Sequence, residues 1–235
     1  MKIAVIQFPG SNCDYDVLHV LKDLLNQEAR LIWHKEFNGA DYDAVLLPGG
    51  FSYGDHLRAG IIAAYSPAMK HVREMAKEGK PVIGICNGFQ ILIESQLLDG
   101  ALLQNDCLTF VCRWINIAVK STRTPLTKCI KPGTVLRIPI AHKEGRYVNT
   151  PAKIKELYDN DQIVFQYVDS DGRVSREANP NGSMENIAGI CNLEGNVVGL
   201  MPHPERASEA ILSPYDTEHG KMIFSSLIKY VNGGR

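Results

Sequence analysis

With 25 Lys and Arg against 26 Asp and Glu in 235 residues, the chain has a formal charge of −1 and no basic run, which excludes an electrostatic footprint for nucleic acid or an anionic membrane surface. The N-terminal apolar run Ile3-Ala4-Val5-Ile6 is too short for a signal-peptide core and no stretch is long enough to span a bilayer, so a cytoplasmic location with small-molecule and protein partners is expected. The length suits a single domain, residues 1–235, with room for a sizeable core.

Lys2–Gln7 reads as a strand and residues 14–26 as a helix, since Val17, Leu18, Leu21, Leu24 and Leu25 recur at helical spacing. Residues 29–33 and Ala44–Leu47 are the next strand-like runs, and the second enters the glycine-rich Pro48-Gly49-Gly50-Phe51-Ser52-Tyr53-Gly54-Asp55. Ser66-Pro67 marks a cap and a first-turn proline for a helix through 67–77. A strand at 81–85 and a helix at 88–95 follow, and this alternation predicts a parallel sheet covered by helices. From about Leu108 to Leu200 the pattern shifts to short strands, among them 115–119, 135–140, Ile163–Val168 and Ile187–Cys191. They are broken by turns at Asp171-Gly172, Asn181-Gly182 and Glu194-Gly195-Asn196, which predicts a mainly antiparallel extension of the sheet. Helical spacing returns over 217–231 and ends at Gly233-Gly234.

Chemistry concentrates where predicted strands end. Gly84-Ile85-Cys86-Asn87-Gly88 lies between an apolar run and a helical one, the arrangement of a nucleophile elbow with cysteine in place of serine. The helix behind Cys86 adds partial positive charge, which favours a thiolate. Downstream, His203 sits between Pro202 and Pro204 after the strand-like 197–201, with Glu205 two residues on, so Cys86, His203 and Glu205 form a candidate triad. The backbone N–H groups near Gly50 and of Asn87 are candidates for an oxyanion hole. The cysteines at 13, 86, 107, 112, 129 and 191 contain no Cys-x-x-Cys pair, so no metal site is expected and most of them read as buried or neutral thiols. Phosphate-loop and dinucleotide fingerprints are absent.

These two signatures, Gly84-Ile85-Cys86-Asn87-Gly88-Phe89-Gln90 and Pro202-His203-Pro204-Glu205, resemble those of the class I glutamine amidotransferases. Residues 8–14, 48–55, 112–114, 139–142, 144–147, 179–183 and 201–206 are most similar to the branch of that family formed by stand-alone glutaminase subunits of phosphoribosylformylglycinamidine synthases. Lys143 stands where a glycine is expected. The resemblance implies a flavodoxin-like, mainly parallel sheet flanked by helices, with an antiparallel extension. It also implies hydrolysis of glutamine to glutamate and ammonia through a thioester on Cys86. Gln90 would touch the bound glutamine, although a helix-capping or core-facing amide is an equal reading of that residue. No cofactor is expected in this chain. ATP and Mg are expected on a large ATP-dependent synthetase subunit, joined through a small bridging subunit, which together form an ATP-dependent C–N ligase complex for purine synthesis. Arg113, His142, Glu144, Arg146, Tyr147 and Arg206 are further candidates for subunit contact or signalling.

Three other readings compete. A cysteine hydrolase or stress protein of related fold typically carries His after its elbow cysteine, where this chain has Asn87. A non-catalytic subunit predicts a broken triad, and all three members are present. A glutaminase serving a different acceptor shares the triad and differs only in the branch-specific stretches.

Overall fold

Continuous apolar runs with no polar alternation build strands that are covered on both faces, and such strands form the centre of this molecule. The computed structural model describes residues 1–233, so Gly234 of the predicted terminal glycine pair lies outside the described residues. In chain order the elements are β1 (Lys2–Gln7), α1 (Asp14–His19), β2 (Glu28–Trp33), β3 (Ala44–Leu47), α2 (Ile61–Ala64), α3 (Ala68–Lys77), β4 (Val82–Ile85), α4 (Asn87–Glu94) and β5 (Ala101–Leu103). There follow β6 (Val111–Val119), β7 (Val135–His142), β8 (Arg146–Val148), α5 (Pro151–Asp159), β9 (Ile163–Val168), β10 (Ile187–Cys191), β11 (Val197–Leu200) and α6 (His219–Asn232).

The main sheet runs β2-β1-β3-β4-β11-β10-β9-β6-β7. The first five strands are mutually parallel, and pairing turns antiparallel from β11 onward. This matches the predicted parallel sheet with its antiparallel extension. β3, β4 and β11 are buried at every residue, whereas β7 alternates between half-buried and buried positions, as an edge strand with one covered face should. Helix α3 buries Ala68, Met69, Val72 and Met75 on one stripe. At its start Pro67 already has helical dihedrals and the Ser66 hydroxyl accepts from Ala68 N–H at 3.4 Å, so the predicted cap lies where expected.

Several elements differ from expectation. The predicted helix 14–26 is α1 followed by a wider turn over Val20–Leu24, in which Leu25 N–H donates to the Val20 carbonyl five residues back. Within the stretch expected to hold only strands lies α5, capped by the Thr150 hydroxyl accepting from Lys153 N–H at 3.3 Å and started by Pro151. β5 and β8 form a separate two-stranded sheet that the sequence reading lacks.

The two elbow glycines are required by proximity. A Cβ on Gly88 would sit 1.9 Å from the Leu47 carbonyl oxygen, and one on Gly84 would sit 2.6 Å from the backbone of Gly88. Helix α4 therefore starts in backbone contact with the end of β3. Gly88→Ala is expected to lower stability by about 3 kcal/mol or more, since the obstacle is backbone that has to move; a denaturant titration would show this as a drop in midpoint.

Candidate active site

Three strands adjacent in the sheet, β3, β4 and β11, are parallel and end on the same side. Their carboxyl ends deliver Gly49-Gly50, Cys86 and the His203–Glu205 turn, so residues far apart in the chain meet over one edge of the sheet, where open α/β sheets place their ligands. Cys86 holds φ 51° and ψ −104°, a conformation closed to relaxed L-residues and costing about 1–3 kcal/mol. Its backbone N–H donates to the Leu200 carbonyl at 2.8 Å, locking the elbow to β11, and its Sγ lies 3.7 Å from the Ala141 carbonyl.

His203 and Glu205 are both buried, with Nδ1 2.6 Å from Oε1. That bond leaves Nε2 as the working nitrogen, and Nε2 has no other partner among the described residues. Burial disfavours the imidazolium, yet the negative charges of Glu205 and of a Cys86 thiolate outweigh it and hold the His203 pKa well above the ordinary imidazole value. The imidazolium form of His203 is thereby favoured over that of a free imidazole.

The Gly50 N–H is aimed by peptide planarity. The Gly49 carbonyl accepts from both Asn12 and Cys13 N–H groups at 3.1 Å each, and in a trans peptide the following N–H points the opposite way. The bridge between Ser11 and Gly50 uses the N–H groups of Asn12 and Phe51, which leaves that of Gly50 outside it. Asn87 opens α4, so its backbone N–H has no acceptor within the helix. Its side chain accepts from Ser52 N–H at 3.1 Å and donates to Gln90 Oε1 at 2.9 Å. Gln90 in turn donates to the Glu144 carbonyl at 2.8 Å. Both ends of the Gln90 amide are thereby engaged inside the protein, so in this structure it fastens the 142–146 loop to the elbow helix.

The branch-specific stretches act as a buttress beneath the site. Asn105 Oδ1 accepts from Gly145 N–H and lies 3.1 Å from His142 Nδ1, while Asn105 Nδ2 donates to the His142 carbonyl. Asn181 and Ser183 both donate to the Gly145 carbonyl, and Ser183 Oγ accepts from Tyr147 N–H. His142 and Tyr147 are buried, which corrects their candidacy for direct subunit contact. Burial and the nearby charge of His203 push the His142 imidazole down to about 3, so it stays neutral.

Asp55, on the glycine-rich loop, is pushed up to about 6 by burial and then by Glu144. Because the folded value exceeds the ordinary 3.8, its contribution is fully present below about pH 4 and is lost as pH rises through about 6. Asp55→Asn is expected to raise the melting temperature at pH 7.5 with little effect at pH 4, measured by thermal unfolding at both values.

The sequence reading missed Cys13. It is buried, and its Sγ receives a hydrogen bond from Arg206 Nη2 at 3.1 Å; Arg206 also pairs with Asp16 at 3.3 Å. Burial pushes the Cys13 thiol pKa up, against the lowering effect of its hydrogen bond to His203. A cavity of about 410 Å³, lined by Asp16, Trp114, Ala141, His203, Glu205 and Arg206 among others, reaches the His–Glu pair.

Residues 1–231 match the family model described as a CobB/CobQ-like glutamine amidotransferase domain. The chain belongs to the class I glutamine amidotransferases. Among curated members of that family it is 55% identical to phosphoribosylformylglycinamidine synthase subunit PurQ of Methanosarcina acetivorans over 231 residues, 98% of each chain. The PurQ subunit of Aquifex aeolicus is 51% identical over 228 residues, covering 97% of this amidotransferase and 99% of the relative. A solved structure, that of PurLQS from Thermotoga maritima, matches with 42% identity and a TM-score of 0.85 over 98% of both chains.

Proposed function

We infer that this chain is the glutaminase subunit of a phosphoribosylformylglycinamidine synthase, releasing ammonia from glutamine for a synthetase subunit of the same complex. The observation that carries the chemistry is the convergence of Cys86, the His203–Glu205 pair and the Gly49-Gly50 peptide on three adjacent strand ends. The full-length likeness to PurQ subunits and to PurLQS carries the pathway and the partners, a large synthetase subunit and a small bridging one.

Cys86 Sγ attacks the side-chain carbonyl carbon of glutamine, and the N–H groups of Gly50 and Asn87 receive the oxyanion. As the tetrahedral intermediate collapses, the C–N bond breaks and imidazolium His203 gives its proton to the departing amine, which leaves as ammonia. His203, now neutral, takes a proton from water as the oxygen attacks the thioester. Glutamate departs, the sulfur recovers its electron pair, and Glu205 again faces an imidazolium. Gln90 and Asn87 hold the elbow helix against the Glu144 loop during both steps.

ATP and Mg belong on the synthetase subunit, which activates the formylglycinamide ribonucleotide amide; this chain itself uses no cofactor. The reaction belongs in the cytoplasm, in keeping with the absence, among the described residues, of any helix long and apolar enough to cross a membrane. The test is formylglycinamidine ribonucleotide formation by the synthetase and small subunits with ATP, fed glutamine in place of ammonium, with and without this chain. Glutamine use that requires the chain is the expected result; none, with the ammonium reaction running, overturns the reading.

A further inference from the structure

Cys13, His203 and Glu205 are each buried, and one donor atom from each lies within 4.8 Å of the others. A thiol, an imidazole and a carboxylate are the ligand set that a borderline-soft divalent cation selects. The second carboxylate oxygen of Glu205, buried with no hydrogen-bond partner, gives the cluster a free acceptor. Tetrahedral zinc holds sulfur at about 2.3 Å and nitrogen or oxygen at about 2.0–2.2 Å, so closing the site takes side-chain shifts on the order of 1 Å. The cavity that His203 and Glu205 line supplies an entry path and room for a water as fourth ligand. Arg206, beside Cys13, opposes a cation, but its charge is already paired with Asp16.

We propose that these three residues form an inhibitory zinc site, distinct from the nucleophile, that reversibly switches the glutaminase off. Coordination releases the thiol proton of Cys13 and the Nδ1 proton of His203 to solvent and draws the imidazole nitrogen and the carboxylate away from each other. Two anionic ligands then offset the charge of the ion. The imidazole loses the Glu205 bond that aims Nε2, so His203 no longer serves the sulfur of Cys86. The inhibitory consequence rests on the glutaminase reading given above, whereas the metal site does not.

The experiment therefore has two arms. In the first, cobalt(II) chloride is titrated into the Cys86→Ala chain, and a sulfur-to-cobalt charge-transfer band with one-to-one stoichiometry is expected. The band is expected to vanish in the Cys13→Ser, Cys86→Ala double variant. In the second, zinc chloride is added to the assembled complex, which is expected to lose glutamine-dependent synthesis, keep ammonium-dependent synthesis, and recover on chelation. Cys13→Ser is expected to retain glutamine use while raising the half-inhibitory zinc concentration at least about tenfold. A cobalt band that survives Cys13→Ser, or one that appears only when Cys86 is present, overturns the site. A complex inert to glutamine without metal would count against the function alone, since the cobalt arm does not depend on it.

Discussion

Cys86→Ala is expected to cut glutamine-dependent product formation by the complex at least about 10⁴-fold while leaving ammonium-dependent formation at the parental rate. The sulfur is the only group on the elbow able to carry the glutamyl thioester, and nothing in the acceptor chemistry passes through it. Side-by-side initial rates with the two nitrogen sources settle the matter; a variant complex that still consumed glutamine normally would remove Cys86 from the mechanism. The same position carries a stability consequence of opposite sign. With φ 51° and ψ −104°, residue 86 is strained for any side chain with a Cβ, so Cys86→Gly is expected to be equally inactive yet about 1–3 kcal/mol more stable. Chemical denaturation of the two variants would separate strain from packing.

Glu205→Gln is the second change with a large expected effect, about 10²- to 10⁴-fold on the glutamine-dependent rate, with little change in the ammonium reaction. Its diagnostic is the pH profile. The carboxylate, 2.6 Å from Nδ1, supplies much of the negative charge that holds the His203 pKa up against burial. With an amide there the imidazolium loses its proton at lower pH, and the alkaline limb of the glutaminase profile is expected to move toward neutrality. A reduced rate with an unmoved limb would mean that Glu205 sets only the angle of the ring.

Most of the frame was legible because its signals are local. β1, β3, β9 and β10 occupy the predicted residues, as apolar runs bounded by turn residues should. The candidate triad was legible for the same reason, with Cys86 following β4 and both His203 and Glu205 following β11. What escaped was either too short or too distant. α2 has four residues, and β5 and β8 have three each, below the length at which periodicity speaks. α5 did carry a signal, Thr150-Pro151 followed by Ile154 and Leu157, but surrounding turn residues masked it. Cys13 had no signal at all. Its proximity to His203 comes from the Gly49 carbonyl drawing in the 8–14 loop, a contact between loops on neighbouring strands. Gln90 shows the converse: its position after the elbow was plain in the sequence, but its hydrogen-bond partners were not.

The pairing of β4 with β11 also bears on the birth of the protein. These strands are neighbours in space, with Ile85 opposite Leu200, although the entire antiparallel extension lies between them in the chain. A growing polypeptide thus finishes its nucleophile long before its base, and such distant pairings form late. Until β11 threads in beside β4, the elbow lacks both the Leu200 carbonyl that fixes the Cys86 backbone and the imidazole that serves the sulfur. Chains truncated before β11 are consequently expected to be inert toward glutamine, so that free ammonia is not shed by a half-made enzyme.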